Sequence, residues 1–147
     1  MQALSHESMI EELYRQLKAY ARVVRQDRRL EGPGVETVRV RSPVCGSELT
    51  LDAVIAGGRV QQLGWRVRAC ALGQASTAIV IARRSELDAA TVRRVGAQMQ
   101  AILKGESDSC DWPELTFFSF AQDIPSRHGS AMLPFKALAQ LFDRVRT

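Results

Sequence analysis

Aromatic residues are scarce, at 6% of the 147-residue chain. That leaves little for stacking on bases. No helix-turn-helix, RNP-like signature or aromatic-interleaved basic stripe accompanies them, so no nucleic-acid partner is expected. No apolar run approaches the roughly 18 residues that span a bilayer, so no membrane partner is expected either. The opening stretch, Met1 to Ser8, lacks the basic start and apolar core of a secretory signal, which sets a cytoplasmic location as the expectation. Cysteine is sparse and odd in number: Cys45, Cys70 and Cys110 are 3 in all, which argues against a disulfide framework.

What is present fits one globular domain over residues 1–147, since 46% hydrophobic and 24% charged residues can bury a single core. The 20 lysines and arginines exceed the 16 acids by a formal +4, a mild excess that suits an acidic protein partner as well as any nucleic acid. Residues 1–34 are expected to hold a helix and a connector, residues 35–70 a sheet, and residues 71–147 the helical part.

Ile10, Leu13, Leu17 and Val24 form one apolar stripe, predicting a helix from about Ser8 to Arg25 with Ser8 and Glu11 as its capping box. The polar, Gly-Pro-containing stretch from Gln26 to Gly34 then breaks the period. Val38 and Val40 alternate with Arg39 and Arg41. After a turn at 42–46, Leu49, Leu51, Ala53 and Ile55 face one way while Glu48, Thr50 and Asp52 face a wet side. Gly57-Gly58 predicts a hairpin into a third strand, Val60 to Ala69. Ala71 to Arg84 is apolar nearly all round and predicts a buried helix. Ser85 with Asp88 predicts the next cap, and Lys104-Gly105 that helix's end. Leu115 to Ala121 is ambiguous in type. A last helix begins near Ser130, with Pro134 in its first turn. The fold class is α+β: an N-terminal helix and a three-stranded antiparallel meander with helices packed on one face.

Two cysteines sit at informative places. Cys45 lies in a Pro-x-Cys-Gly turn between strands. Cys70 stands where the third strand gives way to the buried helix, and a helix N-terminus favours thiolate. Strand alternation places Arg66 and Arg68 on the side of Cys70, adding positive charge. Thiolate binds metal and attacks sulfur. By spacing alone the pair is no CxxC, and small apolar filling is the commoner role of a free cysteine. Cys110, in the acidic loop Asp108-Ser109-Cys110-Asp111, could reach the same site but reads as an incidental thiol. Trp65 and Trp112 read as packing residues.

Ser42-Pro43-Val44-Cys45-Gly46-Ser47 resembles the N-P-x-C-G-D segment of the iron–sulfur cluster assembly scaffolds of the IscU, SufU and NifU N-terminal type. Ala69-Cys70-Ala71-Leu72-Gly73-Gln74-Ala75-Ser76 resembles their G-C-x-x-S-x-A-S segment. Pro125-Ser126-Arg127-His128-Gly129-Ser130-Ala131-Met132-Leu133, with Phe135 to Leu138, is similar to P-x-R-x-K-C-A-x-L-x-x-K-A-L of the SufU pattern. The three motifs fall in the family's order between about Glu36 and Val145.

The resemblance implies a scaffold or carrier that holds iron or a labile [2Fe-2S] cluster, or zinc, through Cys45 and Cys70. It implies a cysteine desulfurase as sulfur donor and apo iron–sulfur proteins as clients. Ser47 stands in place of the family's aspartate, Ser130 in place of its third cysteine, and Gly129 where some members carry histidine. His128, one position away, is the candidate third metal ligand. A second reading makes Cys70 or Cys45 a persulfide acceptor in a sulfurtransferase, the one enzymatic possibility. A third keeps the fold as a regulator whose site has decayed, its two thiols forming a redox-sensitive disulfide. Serine hydroxyls are poor ligands because they stay protonated near neutral pH.

Overall fold

Alternation of apolar and polar residues between 35 and 68 produces the expected sheet, and the computed structural model, which describes residues 6–145, shows it as a meander. The reading of Met1 to Ser8 as lacking a signal falls largely outside those residues. In chain order the elements are α1 (His6–Val24), β1 (Val35–Arg41), β2 (Glu48–Ala56), β3 (Arg59–Arg68), α2 (Ala71–Ala82), α3 (Ala89–Leu103), a 3₁₀ stretch at Pro113–Asp123, the short α4 (His128–Ala131) and α5 (Leu133–Arg144). Both strand pairs are antiparallel, with Val38 opposite Leu51 and Leu51 opposite Trp65. Gly57 and Gly58 turn the second hairpin at φ 61° and 76°, the pair of positive values that a tight two-residue hairpin demands.

Leu49, Leu51 and Ala53 are fully buried where α5 packs across β1 and β2. Burying each such leucine is worth about 1.5–3 kcal/mol. α2 runs through the middle, buried from Leu72 to Ile81 with Gln74 half-buried, so its all-round apolar sequence has a partner on every side.

Several details differ from the sequence expectation. Ser8 lies inside α1, and Ile10 is 51% exposed, so the buried stripe runs through Leu17 and Tyr20 to Val24. Asp52 is completely buried and not wet. The connector folds back over that side of the sheet, where Arg29 donates to the Asp52 carboxylate at 2.8 and 3.1 Å, the Leu30 N–H at 3.0 Å and the Thr37 hydroxyl at 2.6 Å. Arg28 and Trp65 exchange backbone hydrogen bonds of 2.9 and 2.8 Å beside it. Gly64 permits this approach, since a Cβ there would stand 2.6 Å from the Arg28 carbonyl oxygen. Asp88 itself caps α3, accepting from the Thr91 N–H at 2.7 Å, while Ser85 sits in a preceding 3₁₀ turn. The final helix is broken at Met132, so α4 and α5 replace one continuous element, and Pro134 falls in the first turn of α5. Leu115–Ala121 resolves as 3₁₀ helix, and among the described residues no helix is long and apolar enough to cross a membrane.

Candidate functional site

The 42–47 turn at the end of the first hairpin is closed by two backbone hydrogen bonds, from the Ser42 N–H to the Ser47 carbonyl and from the Gly46 N–H to the Ser42 carbonyl, both 2.8 Å. Gly46 takes φ 75°, in the left-handed region that a side chain resists. Val44 is 73% exposed, so the turn presents its tip to solvent while Cys45, the next residue, is half-buried. At the same edge of the sheet β3 ends and Cys70 forms the N-cap of α2. The α4 segment crosses here and contributes Ser130, which is fully buried.

These three segments bring the two thiols onto one pair of hydroxyls. Cys45 Sγ lies 3.3 Å from Ser47 Oγ and 3.5 Å from Ser42 Oγ. Cys70 Sγ lies 3.2 Å from Ser130 Oγ, and the two serine oxygens are 3.0 Å apart. The Cys70 N–H also donates to Ser47 Oγ at 3.2 Å, tying the hairpin turn to the helix start. The packing leaves no slack. A Cβ on Gly73 would collide with Ser130 Oγ, and a Cβ on Gly129 would stand 2.6 Å from Ser42 Oγ. Ser42 therefore fills the space that a side chain at position 129 would need.

Burial pushes the Cys45 thiol up, but hydrogen bonds from Ser42 and Ser47, the Ser47 N–H and the charge of Arg127 outweigh it and bring it down to about 7. Burial acts the same way on Cys70. There Ser130, the Gly73 and Leu72 N–H groups at the start of α2, and Ser47 leave the thiol below its ordinary value. Arg66 and Arg68 are directed elsewhere. Their side chains face Asp27, which Arg68 holds at 2.8 and 3.1 Å with Arg66 at 3.8 Å. The expected positive charge is spent on the connector. The residues missed by sequence reasoning are Ser42 and Arg127. A serine three positions before a turn cysteine is close enough to bond it, whereas nothing local links Arg127 to Cys45.

The other candidates sit apart. His128 Nε2 is 2.7 Å from the Ala121 carbonyl oxygen, a contact to the 3₁₀ stretch. Among the described residues no three His, Cys, Asp or Glu side chains gather as a metal-ligand set, so His128 does not join the two thiols. Cys110 Sγ is 3.2 Å from Gln98 Oε1 on α3, and burial pushes that thiol up. It is a separate free thiol. Trp112 is buried in the core, as is Trp65. The converged groups are thus two thiols held toward ionisation and two hydroxyls, which do not make a closed tetrahedral ligand set.

No family model matches the sequence, and no curated protein matches it. Among solved structures, a nitrogen-fixing NifU-like protein (N-terminal) from Brucella abortus is similar at TM-score 0.83 and 27% identity, over 94% of this chain and 97% of that one. A protein assigned as an iron–sulfur cluster assembly scaffold for the SUF system of Fervidobacterium islandicum AW-1 shares the fold at TM-score 0.74 and 18% identity, over 87% and 95% of the two chains. The family resemblance carried by the three motifs is therefore matched in three dimensions over nearly the whole chain: this is the fold of the IscU, SufU and NifU N-terminal scaffolds.

Proposed function

We propose that the protein acts in iron–sulfur cluster assembly as a scaffold-type carrier, taking iron or a labile [2Fe-2S] cluster as cargo on Cys45 and Cys70. One observation carries this: two thiols from remote segments meet on the Ser47–Ser130 hydroxyl pair, and both are held toward thiolate. Once the thiols ionise, the hydroxyls can turn to donate to the sulfurs and so favour the ligating form, yet they withhold the third and fourth strong bonds. Cargo held this way sits on an open face and leaves readily, which suits hand-over to an apo-protein client. Zinc could occupy the same two sulfurs. A cysteine desulfurase is the proposed sulfur donor. Anaerobic reconstitution with iron, sulfide and a desulfurase is the test. Visible absorbance that disappears in Cys45→Ser and Cys70→Ser supports the proposal, and identical spectra with and without those thiols would sink it.

A second reading rests on Cys45 alone. Its place beside the exposed tip, with its thiol at about 7 and Arg127 contributing positive charge, suits a sulfur acceptor meeting a partner's persulfide. Mass spectrometry after incubation with the desulfurase and its substrate, without iron, separates the two readings. Added sulfur on Cys45 supports acceptance; unmodified Cys45 removes it.

A further inference from the structure

Away from the thiols, the end of α1 and the connector carry a dense set of guanidinium groups around a cavity of about 440 Å³. Arg22, Arg25, Arg28, Gln26, Asp27 and Trp65 wall it. Arg22, Arg25 and Arg28 form no ion pair among the described residues. Asp27 is the only carboxylate in that wall, and Arg66 and Arg68 already engage it. Trp65, which lines the cavity, also has a buried Nε1 with no hydrogen-bond partner among the described residues. Leaving such a group unpaired costs about 1–3 kcal/mol. The Arg28 guanidinium lies over the indole, 5.9 Å from its centroid.

We propose that this cavity binds the phosphate group of a small molecule, held by Arg22, Arg25 and Arg28. The three guanidinium groups are all donors, so the missing partner is rich in acceptors and negatively charged. Guanidinium forks match phosphate oxygens in pairs, and three of them suit a dianion better than a single carboxylate. Trp65 lines the same cavity, so its indole reports on occupancy. The site shares no residue with the thiol cluster, so it stands whether or not a cluster is carried.

The test titrates the full-length, metal-free protein with inorganic phosphate, pyrophosphate and ADP at constant ionic strength, reading the indole N–H resonances by NMR. Trp112, buried elsewhere in the core, is the internal reference. The expected result is a saturable shift of the Trp65 indole with Trp112 unmoved, and affinity about tenfold weaker in Arg25→Ser and in Arg28→Ser, the loss of roughly one charge-assisted hydrogen bond. Tighter binding of ADP than of inorganic phosphate marks a phosphorylated metabolite as the ligand; equal binding marks the free anion. Shifts that do not saturate, that sodium chloride reproduces, or that persist at full affinity in both variants overturn the proposal. Arg25 and Arg28 are exposed, so the substitutions leave the fold in place.

Discussion

The hydroxyl oxygens of Ser47 and Ser130 lie 3.0 Å apart, each against one of the two candidate thiols. One comes from the hairpin side of the sheet and the other from the α4 crossing, so their contact fixes how the two halves of the site meet. A chain of four polar atoms, sulfur–oxygen–oxygen–sulfur, spans it. Each member polarises the next, and removing one takes a partner from a neighbour. The serines are thus structural and electrostatic at once: they hold the thiols in place and favour their ionised form.

The Cys45 thiol is expected to be half ionised at about pH 7. In the metal-free protein its iodoacetamide alkylation rate should rise with pH and level off above that value. Cys110, which burial pushes up, should remain slow across the same range. Ser42→Ala removes one hydrogen bond to the sulfur, worth about 1 kcal/mol, and should raise the Cys45 midpoint by about half to one unit. Arg127→Ala should raise it less, by an amount that shrinks in high salt because Arg127 is exposed. Identical alkylation profiles for Cys45 and Cys110 would contradict the hydrogen-bonding account.

The sheet and the buried helix were legible because their periods are clean: Leu49, Leu51 and Ala53 alternate, and the apolar run after Cys70 has no polar face to expose. The site was legible only as motifs. Cys45 and Cys70 stood out by position, yet the Ser47–Ser130 contact joins segments that no local pattern connects. Asp52 shows the converse. Alternation placed it on the outer face correctly, but burial followed from the connector folding over that face, which depends on Arg29 reaching back across the sheet. The charge near Cys70 was misread for the same reason, because Asp27, distant in sequence, draws Arg68 away.

Asp52 makes an acid-sensitive lock between connector and sheet. Although burial raises its carboxyl, hydrogen bonds from Arg29, Thr37 and the Leu30 N–H outweigh that and hold it below the usual carboxylate range. A depressed folded-state value means that the stabilisation is fully present above about pH 4, the unfolded value, and is lost as pH falls through the folded value. Asp52→Asn should cost about 1.5–3 kcal/mol at pH 7, the range for hydrogen bonds to a charged group, read as a lower urea midpoint. The gap between wild type and variant should close on acidification below about pH 4. A gap that stays constant down to pH 2 would assign the loss to packing instead.

Ser130 is the position where a third thiolate would join the proposed cargo site. Its oxygen is already 3.2 Å from Cys70 Sγ and 3.0 Å from Ser47 Oγ, and the absent Cβ of Gly73 is what admits it there. Ser130→Cys places a strong donor where a protonated hydroxyl now stands, offering the proposed cargo one more sulfur ligand. After anaerobic reconstitution, the visible absorbance of Ser130→Cys should survive a chelator challenge several-fold longer than that of wild type. Ser130→Ala should do no better than wild type and should also slow alkylation of Cys70, because it removes the hydrogen bond that favours that thiolate. Should Ser130→Cys lose its absorbance as fast as wild type while remaining folded, position 130 lies outside the reach of the cargo, and the serine serves only to hold Cys70.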